Sequence, residues 1–158
     1  MLSFVVDSML GRLAKWLRVM GYDVVYYREI GDDDLLVEAQ VRGAFLLTRD
    51  KQLSRKALSR GVKAILLGEG LEEELLTLAR LGLIELRIDL EKSRCPLCNT
   101  PLEKVSSSLV GENLAPRPVL EKYDTLWLCP KCMKVYWPGS HLVSMENILK
   151  RLRERLTH

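Results

Sequence analysis

AFLLTRDKQL, residues 44–53, is the stretch that decides the fold. An apolar run from Ala44 to Leu47 ends abruptly in Thr48, Arg49, Asp50 and Lys51. A buried strand looks like this as it leaves a sheet. The chain opens the same way, with Phe4, Val5 and Val6 followed by Asp7. Two apolar strands, each emptying onto an aspartate, predict a shared place where carboxylates meet.

Helical and extended patterns alternate outward from these two strands. Leu10, Leu13, Ala14 and Leu17 follow the spacing of one helix face, and Gly21 stops it. Val24 to Tyr27 are β-branched and aromatic, which predicts a strand. Leu35, Leu36 and Ala39 predict a helix that starts in Asp32-Asp33-Asp34 and ends near Gly43. Residues 51–60 read as helix, Val62 to Leu67 as a fourth strand, Glu72 to Leu81 as helix and Ile84 to Ile88 as a fifth strand. Strands separated by helices of this length predict an α/β fold, a parallel sheet covered on both faces. There is no internal repeat and no low-complexity tract.

The chain has 158 residues and 47% apolar content, enough for one core plus a small appendage. Net charge is +3, too small to name a partner by itself. Its distribution is uneven: residues 1–92 carry 14 basic and 15 acidic side chains, residues 93–158 carry 10 and 6. The expected division follows that boundary, with an α/β domain over 1–92 and a small module with a C-terminal helix over 93–158. No apolar run reaches the ~18 residues of a membrane span. Asp7 interrupts the first apolar run, unlike a signal peptide. A cytoplasmic location is the expectation.

Strand-to-helix turns of a parallel sheet lie along its carboxyl edge, where ligands bind. Asp7 and Asp50 fall at such turns, and the 32–34 triplet precedes a helix. Each is also a favoured N-cap, worth about 1 kcal/mol against alanine. Caps are as readily Ser, Thr or Asn, yet all three sites offer a carboxylate. Gathered carboxylates repel one another unless a cation joins them. Mg²⁺ or Mn²⁺ suits two or three aspartates plus waters, and such an ion serves phosphodiester hydrolysis. A receiver-like signalling domain is the other reading of this architecture. It wants a lysine after a later strand, whereas Gly68-Glu69-Gly70 follow the fourth.

Arg12, Lys15 and Arg18 interleave the first helix at a spacing of three and mark either a solvated flank or phosphate contacts. Arg49, beside Asp50, reads as a neighbour of the carboxylates or of a nucleic-acid strand.

Cys95-x-x-Cys98 and Cys129-x-x-Cys132 are the strongest local signals. Two such pairs bring four thiolates to one Zn²⁺, and a four-cysteine site leaves no position open for water, so the zinc is structural. Segments Leu102–Val105 and Thr125–Leu128 read as the strands of a zinc ribbon. Lys134, Trp137 and His141 lie beside it and are candidates for gripping single-stranded nucleic acid. A last helix after Ser144, amphipathic through Ile148, Leu149, Leu152 and Leu156, is expected to dock on the protein itself.

FVVDSMLGRLAKWLRVMGYDV, DDDLLVEA, LLTRDKQL, RCPLCN and CPKCMKVYWPGSH occur here in an order that resembles a known family. It is the PIN-like RNase domain found at the C-terminus of the mutator-seven exonuclease and as free-standing prokaryotic proteins. The resemblance covers Phe4 to about Met145. It implies a PIN-like three-layer α/β/α fold, a divalent-metal site and ribonuclease activity on RNA. Carried over, Asp7 matches the family's first acid and Asp50 its late acid. The middle acid falls in the triplet, at Asp32 with Asp33 as the alternate. A non-catalytic RNA-binding module on the same fold is the alternative, a toxin is a variant of the nuclease, and a homo-oligomer or protein partner stays open.

Overall fold

A computed structural model describes residues 2–157. In β1 (Ser3–Val6), Phe4 and Val6 face one core and Val5 the other, the alternation a strand buried on both faces requires. β3 (Phe45–Thr48) divides likewise, Leu47 to the first core and Leu46 to the second. With β2 (Asp23–Tyr26) and β4 (Ala64–Leu66) they form a wholly parallel sheet of order β2-β1-β3-β4.

Helices cover both faces. α1 (Gly11–Val19) and α4 (Leu71–Arg80) bury Leu13, Leu17, Leu75 and Leu78 in the first core. α2 (Asp32–Arg42) and α3 (Lys51–Ser59) bury Leu35, Leu36, Leu53 and Ala57 in the second. The three layers are those of the expected α/β/α fold. A 3-10 turn at Ser8–Leu10 joins β1 to α1.

The fifth strand does not form. Ile84 and Leu86 alternate inward as the pattern required, but no strand lies beside them. The Glu85 amide donates to the Tyr22 hydroxyl at 2.7 Å and the Leu86 carbonyl accepts from Arg153 Nη1. Side chains satisfy this backbone where a ladder was expected.

The cysteine region carries its own antiparallel sheet, β5 (Glu103–Ser106), β6 (Thr125–Leu128) and β7 (Val135–Tyr136), with a short α5 (Arg117–Lys122) beside it. Its core has only four buried residues, Val110, Ala115, Leu126 and Val135. Asn99 joins it to the α/β unit, accepting from Val24 N–H at 3.0 Å and donating to Asp23 at 2.7 Å, and so covers part of the β2 edge.

α6 (Ser140–Leu156) starts four residues before the expected cap at Ser144, just beyond Pro138-Gly139. It buries Met145, Leu149 and Leu152 in the first core with α1 and α4. No helix among the described residues is long and apolar enough to cross a membrane.

Candidate functional site

β1 leads through α1 to β2 on one side of it, and β3 lies on the other. The strand order therefore reverses between β1 and β3, the point where parallel sheets open a ligand crevice. α1 leaves β1 on one face and α3 leaves β3 on the other, which opens that crevice at the carboxyl edge.

Asp7 and Asp50 both sit there. Asp7 is only 6% exposed. Its Oδ1 accepts from Ser8 N–H at 2.8 Å and its Oδ2 from the Thr48 hydroxyl at 2.7 Å. The same hydroxyl oxygen accepts from Asp50 N–H at 3.0 Å, so Thr48 ties the two aspartates together. Asp50 Oδ1 caps α3, accepting from Gln52 and Leu53 N–H groups at 2.9 and 3.2 Å. Capping is thus real at Asp50, but it occupies one oxygen.

Asp33 of the triplet pairs elsewhere. Gly31 is the N-cap of α2, and Asp32, Asp33 and Asp34 lie exposed in its first turn. Asp33 pairs with Lys56 at 2.7 Å and Arg60 at 3.2 Å, and these cations hold its carboxyl below the usual range. Lys56 and Arg60 stand six and ten residues beyond Asp50, about 9 to 15 Å down the helix at 1.5 Å per residue. Asp33, the alternate for the middle acid, is thus engaged with α3. Among the described residues, no three carboxylates offer atoms within 4.8 Å of one another.

Glu74 is the acid that sequence reading missed. It lies in the first turn of α4, only 5% exposed. Burial pushes its carboxyl up, against the pull of Arg49 and Arg12. Arg49 reaches across the switch point to the Met9 carbonyl at 3.5 Å. The signal was an acid inside the apolar stripe of Leu71, Leu75 and Leu78, where helix spacing puts it on the buried face.

Arg18 is not a surface cation. It is 6% exposed, donates from Nε to the Val24 carbonyl at 3.1 Å and from Nη1 to the Pro96 carbonyl at 3.0 Å. Burial lowers its pKa, partly offset by Cys95 and Cys98. Two of its five N–H donors thus join α1 to β2 and to the first cysteine turn, a structural role for a side chain expected at a phosphate. The other basic and aromatic candidates do come together. Arg12, Lys15, Lys134, Trp137 and His141 line one cleft of ≈ 830 Å³ between α1, the ribbon and the start of α6.

The two cysteine turns are twins. Cys95 O accepts from Asn99 N–H and Cys129 O from Met133 N–H, each at 2.8 Å. Asn99 and Met133 both have left-handed backbones, φ 72° and 60°. The four Sγ atoms lie within 4.8 Å of one another. A tetrahedral ion with 2.3 Å bonds to sulfur sets its sulfurs about 3.8 Å apart, so the set fits zinc. The thiols do not ionise alike by themselves. Burial works against Cys98, yet hydrogen bonding with Thr100 brings it down to about 6, while the Cys98 contact and burial push Cys132 up to about 12. Burial also raises Cys129. A cation is what lets all four be thiolates together.

No curated protein and no solved structure matches the chain. The family model of the Mut7-C RNAse domain matches residues 2–149, nearly its whole length, and the chain therefore belongs to the Mut7-C RNAse domain family.

Proposed function

We propose that this protein is a divalent-metal-dependent ribonuclease that cuts single-stranded RNA at the carboxyl edge between β1 and β3. The observation that carries the reading is Asp7, a buried aspartate fixed at the switch point by two hydrogen bonds. Membership of an RNase family favours this over a receiver-like signalling domain.

Asp7 and Asp50 are the groups that hold the ion. Asp7 is rigid, each oxygen keeps a lone pair, and the second oxygen of Asp50 is free of the capping bonds. Two aspartates leave most of an ion's coordination to water, which suits Mg²⁺. A Mg²⁺ or Mn²⁺ ion held by Asp7 and Asp50 would supply Lewis-acid polarisation of the phosphodiester and a more acidic water. Arg12 and Arg49 hold the phosphate. We assign Glu74 a positioning role as a buried counter-charge near both arginines, acting at longer range than a direct ion pair. The zinc is structural and takes no part in the chemistry.

Asp50→Asn and Asp33→Asn separate this edge from the triplet. Asparagine caps a helix about as well as aspartate, so α3 keeps its start. Cleavage of labelled RNA should collapse in Asp50→Asn and stay near normal in Asp33→Asn. The reverse order would move the site to α2.

Glu74→Gln has a pH signature. A carboxyl raised by folding favours the native state below its unfolded pKa, about 4.3, and that stability is lost as pH rises through the folded value. Glu74→Gln should therefore melt higher than wild type at pH 7, and the gap should close towards pH 4. Cleavage should slow about 10-fold or more, as loss of outer-sphere partners does at metal sites. An equal gap at both pH values would contradict the burial cost assigned to Glu74.

A further inference from the structure

The cleft beside the acidic edge has a makeup of its own. Its lining includes four Lys or Arg, namely Arg12, Lys15, Arg94 and Lys134, with His141 and no acid at all, and Arg94 is paired with Asp23 at 3.7 Å. Among the described residues no carboxylate pairs with Lys15 or Lys134, so both ammonium groups face solvent with no counter-charge. The floor is apolar, built from Trp16, Val19, Met145 and Ile148. Trp137 stands in its wall, half-buried, with its indole Nε1 packed against Gly139, where an added Cβ would lie 3.0 Å away. Gly139 is the N-cap of α6 and offers no side-chain cap. The free N–H groups of that first turn add to the positive potential of the cleft.

An apolar floor, an aromatic wall and a rim of unpaired cations call for a ligand with a flat apolar face and an anionic tether. A nucleotide is such a ligand. Arg12 belongs both to this cleft and to the group around Glu74, so the cleft adjoins the edge.

We propose that this cleft is a nucleotide subsite for single-stranded RNA. One unstacked base lies against Trp137 and the apolar floor, and its phosphates lie on Lys15, Lys134 and the start of α6. The proposal rests on the ribonuclease reading for its choice of RNA. It adds that the enzyme selects single strands, because a duplex has no base free to enter. The volume of ≈ 830 Å³ falls within the roughly 300–1,000 Å³ of pockets that bury a small organic ligand.

The test uses the full zinc-loaded chain carrying Asp7→Asn to prevent cleavage, and anisotropy of a short fluorescein-labelled single-stranded RNA. Trp137→Ala should weaken binding about 5- to 150-fold, the range of one base–aromatic stack. Lys15→Ala should lower the slope of log K against log salt by about 0.7. Because Trp137 also packs against the ribbon core, Lys15→Glu on the surface of α1 is the second variant, with zinc content and circular dichroism unchanged. It should weaken binding and leave melting intact. Equal affinity for the duplex, equal affinity in Trp137→Ala and Lys15→Glu, or displacement of the RNA by polyglutamate at equal charge would each overturn the subsite. Binding that follows these expectations in a protein whose wild type never cuts RNA would uphold the cleft and reject the nuclease reading alone.

Discussion

Cys129→Ser should melt the ribbon and leave the four-stranded sheet standing. The ribbon core holds four buried side chains, too few to fix a fold of its own. A zinc held by the four cysteines would supply the difference, since coordination contributes roughly 10–16 kcal/mol of apparent folding free energy in small zinc modules. Removing one thiolate breaks the tetrahedral set of Cys95, Cys98, Cys129 and Cys132. Hydrogen exchange should show residues 94–137 losing protection. α6 should keep its own, because Met145, Leu149 and Leu152 are buried with Phe4 and Leu17. Zinc content should fall from one per chain towards zero. Asn99 would then release Asp23 and Val24, and the bared β2 edge should make the variant prone to aggregate. Acid should act as the mutation does, since protons compete with zinc for the thiolates. Full zinc content with an intact ribbon in Cys129→Ser would contradict the assignment.

Much of this architecture is legible in the sequence, for physical reasons. β1 and β3 are legible because a strand buried on both faces must be continuously apolar, and its exit must turn polar. The cysteine pairs are legible because a tetrahedral ion needs two tight turns, whatever lies between them. Residues 84–88 misled because alternation reports which side chains face inward and says nothing of what the backbone pairs with. Arg18 misled for a geometric reason. A spacing of three drifts about 60° per step on a helix of 3.6 residues per turn, so Arg18 lies some 120° round from Arg12. That drift carries it onto the first cysteine turn. Within the triplet, the connection from Tyr27 to Gly31 delivers Asp33 alongside α3, a pairing that spacing along the chain does not report. The cleft joins Lys15 to Lys134 across more than a hundred residues, a meeting that no local pattern encodes.

Asp7→Asn bears on the chemistry itself. The oxygen of the introduced amide can still accept from Ser8 N–H, and its nitrogen can donate to Thr48 Oγ1, which reverses that bond and leaves the Thr48 hydroxyl proton to turn to another acceptor. What disappears is one negative charge in a buried position. Stability should hold, while cleavage should fall about 10²- to 10³-fold or below detection, the size of losing one preorganised electrostatic group. RNA affinity should stay the same or rise, because a like charge facing the phosphates has gone. Stability and cleavage both left near normal in Asp7→Asn would instead make Asp7 a cap and nothing more, since asparagine caps about as well as aspartate.

The most direct measurement of the central claim is cleavage of labelled single-stranded RNA by the purified wild type and by Asp7→Asn, each with Mg²⁺ or Mn²⁺ and with EDTA, under conditions that leave the zinc bound. The account predicts cutting only by the wild type and only with the divalent ion. Cleavage at the native rate by Asp7→Asn, or cleavage by the wild type that EDTA does not affect, would contradict it.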